Sequence, residues 1–182
     1  MRTTTRAYIL TVSAASVLGG AAWVALADRT AATTTPFSAW NGRWHGSFVA
    51  YDITGHRRYR LDVTQVYRPA GADQQSAVFT NRAADGSVET VHAVNLVRDG
   101  KLICRVRNIG ADGKPTGDIV EHRGTRIGPG HIIWHRRIGT RGLETFNERV
   151  DGDVYRISGV GIYGDNPLDA HIFEGTYTRV TR

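Results

Sequence analysis

The sequence predicts an all-β domain: an antiparallel up-and-down barrel of about eight to ten strands, preceded by an N-terminal signal helix. Three observations carry this. Short segments of alternating polarity recur every 8 to 14 residues after residue 40, a spacing typical of sandwiches and barrels. Glycine-bearing turns separate them, among them Asp85-Gly86, Asp99-Gly100, Asp112-Gly113 and Asp151-Gly152-Asp153, which favour hairpins. Beyond the first 27 residues, no stretch shows a capped apolar repeat of helical period.

The first strand lies within Trp40 to Asp52, with Trp44, Gly46, Phe48 and Ala50 on one face because strand side chains alternate. Asp52-Ile53-Thr54-Gly55 turns the chain into Tyr59-x-Leu61-x-Val63-x-Gln65, which ends at Pro69-Ala70-Gly71. Ala77 and Phe79 begin a third strand, and Val88 to Val97 makes a fourth. Leu102 to Val106 and Ile119 to Arg123 follow, and the Gly124 to Gly130 region reads as the turn into Ile132-Ile133-Trp134. Leu143 to Val150 is polar on both sides and reads as an edge or rim strand; Val154 to Tyr163 and Ala170 to Val180 complete the set. Consecutive hairpins pair neighbours antiparallel, and closure removes the exposed edges.

Residues 1–27 form a signal peptide by pattern. Arg2 and Arg6 precede an apolar or small run from Ala7, and Ala25-Leu26-Ala27 offers a cleavage site before Asp28. The alternative is an uncleaved anchor, since 21 such residues can span a bilayer and would hold the barrel near a membrane, facing outward. Residues 28–36 have nothing to bury and form a disordered linker, leaving 37–182 as the barrel domain. The predicted address is therefore periplasmic or secreted. Cys104 is the single cysteine, so an intrachain disulfide is excluded.

Without the two signal arginines, 21 basic face 17 acidic residues, and only Lys101 and Lys114 are lysines. The charges are interspersed, which describes a solvated surface. No nucleic-acid motif accompanies them.

Gly159-x-Gly161-x-x-Gly164 matches a nucleotide-loop spelling, but Asp165-Asn166-Pro167 follows where a helix must open. Glycines that let a strand coil explain it. His131 and His135 have zinc-like spacing only on a helix; on a strand four residues span about 13 Å. His45, His92, His122 and His171 would have to come from other strands. No metal or cofactor is expected. Glu144, Glu148, Asp165, Asp169 and Glu174 are candidate carboxylates that a solvated rim explains without chemistry.

Gly42-x-Trp44 in a first strand resembles the signature of the lipocalin (calycin) superfamily. Trp44-x-Gly46-x-Phe48 with Tyr51-Asp52 and Gly55 resembles bacterial lipocalin-like domains of uncharacterised function. Lipocalins place a late arginine against the first-strand tryptophan, and Tyr177-x-Arg179 supplies one. Its order reverses the Arg-x-Tyr with which fatty-acid-binding proteins grip a carboxylate, and the middle Thr-Asp-Tyr motif is absent. The resemblance implies a cavity for a small hydrophobic or amphipathic ligand, with Trp44, Phe48, Tyr59, Trp134, Tyr177 and Arg179 as candidate binding residues. The expected function is ligand binding without catalysis. The alternative is a barrel cyclase or isomerase acting on a hydrophobic substrate; a third reading is a haem-binding, nitrobindin-like barrel or a surface-interaction module.

Overall fold

The computed structural model describes residues 35–164 and 169–181. The signal segment and residues 28–34 of the linker lie outside them. A short 3-10 helix, Ser38–Trp40, leads into ten strands: β1 (Gly42–Asp52), β2 (Arg57–Gly71), β3 (Gln74–Ala83), β4 (Val88–Arg98), β5 (Lys101–Ile109), β6 (Pro115–Gly128), β7 (His131–Ile138), β8 (Gly142–Asp151), β9 (Val154–Ile162) and β10 (Ala170–Arg179). Each pairs antiparallel with its sequence neighbours, and β1 pairs with β10 to close the barrel. The closing register sets Trp44 opposite Arg179 and Ala50 opposite Phe173.

The turns follow from their residues. Asp99 and Gly100 both take positive φ, 52° and 71°, as the two-residue hairpin between β4 and β5 requires. Pro69 does not end β2; the strand runs on to Gly71 through a register shift, a bulge being where a sheet tolerates proline.

Two sequence expectations are corrected. Residues 124–128 are strand, and only Pro129-Gly130 turns. Gly124 is needed inside β6 because a Cβ there would lie 2.5 Å from Trp134 Cζ3. Leu143 to Val150 is not an edge: β8 is paired on both sides, with β7 and β9. Its polarity on both faces has another cause, described below.

One end of the barrel is plugged. Phe37 and Trp44 are fully buried and Trp40 nearly so, with Phe37 stacked near Trp134 at 6.5 Å between centroids. Trp44 Nε1 donates to Trp40 O at 2.7 Å, which ties the 3-10 helix to β1. Gln75, itself buried, donates to Phe37 O and Asn41 Oδ1, both at 2.8 Å, and accepts from Asn95 at 2.9 Å. That relay partners the Phe37 carbonyl, the Asn41 amide oxygen and both ends of the Gln75 amide, as buried amides demand. Arg179 covers the plug from outside. Its guanidinium carbon sits 4.1 Å from the Trp44 ring centroid, and it donates to Asn41 O, to Ala39 O at 3.2 Å and to Asp153 at 3.0 Å.

Candidate functional site

Above the plug the inward faces line a cavity of about 200 Å³ that is open at its far end. It extends from the plug toward the opposite end, where Tyr59, Asn81, Glu144 and Tyr163 stand beside the turns. Phe48, Phe79, Phe146 and Phe173 give the middle its apolar walls. Phe48 and Phe146 flank Phe173 at 5.6 and 5.5 Å. Burial of such rings supplies much of the barrel's stability, and their faces also form the wall a ligand meets.

Four of the six candidate binding residues line this cavity: Phe48, Tyr59, Trp134 and Tyr177. Trp44 and Arg179 do not. They belong to the plug, where Arg179 is spent on Trp44 and on backbone carbonyls, so it grips nothing inside.

The polar groups of the cavity form two sets. Near the mouth, Glu144 is buried and accepts from three donors. His122 Nε2 lies 2.8 Å from its Oε2, Arg136 Nε lies 2.6 Å from the same oxygen, and the Tyr163 hydroxyl donates to Oε1. Burial pushes this carboxyl up, but the three hydrogen bonds and the Arg136 charge outweigh burial and hold it at about 2. Tyr163 is driven up by burial and by Glu144's charge. His171 stands beside this set, 5.6 Å from Tyr163 and 6.1 Å from Phe173.

At the floor, Glu148 faces Tyr67, Tyr155, Tyr177, Cys104 and Trp134. The tyrosines interlock: Tyr155 is 5.0 Å from Tyr177 and 6.3 Å from Tyr67. Tyr67 donates to Gln65 Oε1 at 3.1 Å and lies 3.4 Å from the Tyr155 hydroxyl. Burial lifts Glu148 to about 7, against weaker opposing hydrogen bonds from Trp134 and Tyr155. Burial likewise raises all three phenols and the Cys104 thiol, so they stay protonated at neutral pH.

Glu144 and Glu148 thus point inward, against the solvated-rim expectation, while Asp169 and Glu174 are exposed; Asp165 lies outside the described residues. The signal for the inward pair was present. Period two puts Glu144 and Glu148 on one face of β8 with Phe146 and Val150. His122, Arg136, Tyr67 and Tyr155 carried no motif.

Among the described residues, no group of three or more His, Cys, Asp or Glu is placed to hold a metal ion. His131 bonds Asn147 at 2.8 Å. His122 is the buried inward histidine, but the Nε2 that an axial ligand would use sits against Glu144. These residues do not fit a haem. Gly159 to Ile162 belong to β9, and Tyr163 and Gly164 are not helical; a Cβ at Gly159 would sit 2.1 Å from Thr145 O, so glycine serves close strand approach.

Fold and site together define a closed antiparallel β-barrel with an aromatic-walled cavity. Solved structures agree on the architecture. The S-type phycobiliprotein lyase CPES from Guillardia theta superposes with a TM-score of 0.61 at 10% identity, covering 80% of this chain and 91% of that one. Rv2717c from M. tuberculosis superposes with a TM-score of 0.57 at 18% identity, covering 83% and 99%. No family model and no curated protein matches the sequence.

Proposed function

We propose that this protein is an exported binding barrel that takes one small apolar or amphipathic molecule into its cavity. The observation that carries the reading is the cavity itself: about 200 Å³, walled by phenylalanines and floored by tyrosines, with a few convergent polar groups. That is the usual character of a ligand site. A dry apolar cavity of about 150 Å³ accepts benzene, so the expected ligand has one ring or a short chain. The export half of the reading rests on the N-terminal sequence pattern alone.

One observation favours the isomerase alternative. Glu148 is a carboxyl lifted to about 7 inside the cavity, a value suited to general acid–base work at neutral pH. An isomerase built on it would lose turnover in Glu148→Gln while keeping substrate affinity.

The binding reading is tested by native mass spectrometry of protein purified from its own host. A co-purifying small molecule is expected, and Val106→Phe, which fills the cavity, should abolish it. Absence of any adduct, together with no heat on titration with 2-phenylethanol, overturns the reading.

A further inference from the structure

Resting on the cavity as the ligand site, we propose that its ligand is an amphipathic amine: a compact apolar group bearing a protonated nitrogen, received at the floor by Glu148 and the tyrosine faces around it. Three observations converge on this class.

The first is charge. Among the described residues, the cavity lining contains two carboxylates, Glu144 and Glu148, and no lysine or arginine. Glu144 is already matched by Arg136 and by two further donors. Glu148 meets only neutral groups, Trp134 and Tyr155 among them. A buried carboxylate without a counter-ion is costly, and the natural remedy is a cation.

The second is ring geometry. Tyr67, Tyr155 and Tyr177 interlock at 5.0 to 6.3 Å beside Glu148, with Trp134 on another side. Aromatic faces carry negative potential and hold ammonium groups in desolvated pockets. Carboxylate and rings therefore favour the same sign of charge, and the low dielectric strengthens both.

The third concerns the opposite class. A fatty-acid-type carboxylate needs a cation in the cavity, yet Arg179, the candidate for that work, is locked on the plug. An acidic ligand would meet Glu148 unshielded.

A proton count follows. Burial keeps Glu148 partly protonated near pH 7, so a bound ammonium should expel its proton. The other titratable groups facing it, Tyr67, Tyr155, Tyr177 and Cys104, are all raised and stay protonated between pH 6 and 8.

The test is calorimetric titration of the full chain with 2-phenylethylamine, 2-phenylethanol and 3-phenylpropanoate at pH 8. The amine should bind at least tenfold more tightly than the alcohol, with the carboxylate weakest. In Glu148→Gln the amine should fall to within about threefold of the alcohol measured on the same variant. At pH 7, buffers of different ionisation enthalpy should report proton release for the amine alone. The basic surface attracts the carboxylate, so an amine preference cannot come from outside the barrel. An alcohol that binds beside an amine with no advantage, or an advantage that survives Glu148→Gln, overturns the amine assignment. If none of the three binds, the amine assignment falls, and the binding reading falls with it when native mass spectrometry also finds no adduct.

Discussion

Glu144 and Glu148 stand four residues apart on one strand face, yet burial acts on them to opposite ends. Glu144, with three donors, is held at about 2, below its ordinary 4.5. Its folded-state advantage is complete above pH 4.5 and is lost as pH falls through 2. Glu148, lifted to about 7, behaves inversely: the fold is favoured below pH 4.5, and that advantage is lost as pH rises through 7. At roughly 1.4 kcal/mol per pK unit, each effect reaches at most about 3.5 kcal/mol. Urea midpoints at pH 3, 5 and 8 check this. Glu148→Gln should stabilise at pH 8 and change little at pH 5. Glu144→Gln should destabilise by about 3 kcal/mol at pH 5 and 8, because Arg136 and His122 lose their acceptor, and by less at pH 3. Equal effects of Glu148→Gln at pH 5 and 8 would show that this residue does not titrate within the fold.

Between elements, the decisive contact is the one that joins β1 to β10. Trp44→Ala should cost about 3–5 kcal/mol, since a fully buried indole leaves a cavity that neighbours fill only partly. Arg179→Lys should also destabilise, because lysine lacks the planar group that stacks on the indole while bonding two carbonyls. A double-mutant cycle should return a coupling of about 0.5–2 kcal/mol; a value of zero would mean the stack carries no energy of its own. This contact was legible beforehand, because an up-and-down barrel must bring its end strands together and the resemblance supplied the pair. Strand alternation likewise set Phe48 on the Trp44 face of β1 and Tyr59 on the Leu61 and Val63 face of β2, and these faces line the cavity. What stayed hidden was β8. Glu144 and Glu148 read as solvent-facing because a lone carboxylate is seldom buried. Glu144's partners, His122 and Arg136, come from strands whose register no short motif declares. Trp134's need for Gly124 was hidden for the same reason: it is a contact across strands, and the glycine read as a turn.

For the whole molecule, the prediction concerns its address. Ala25-Leu26-Ala27 before Asp28 is the pattern signal peptidase accepts. N-terminal sequencing of protein exported by its host should read Asp28 first. Intact Met1 material recovered with the membranes would instead mean an outward-facing barrel on an anchor. The two outcomes imply different working environments for one cavity, free solution or the lipid surface where amphipathic molecules concentrate.

The β1–β10 seam also dictates the order in which the molecule is finished during synthesis. Every other ladder joins sequence neighbours and can zip as soon as its hairpin is made, at small loop-closure cost. The seam joins the first strand to the last, so one edge of β1 stays bare until β10 has been translated. Arg179 cannot cover Trp44 before then, and Tyr177 cannot complete the cavity floor. A nascent or truncated chain is thus an open, curled sheet with nowhere to hold a guest, and an occupied cavity certifies a chain made to its last strand.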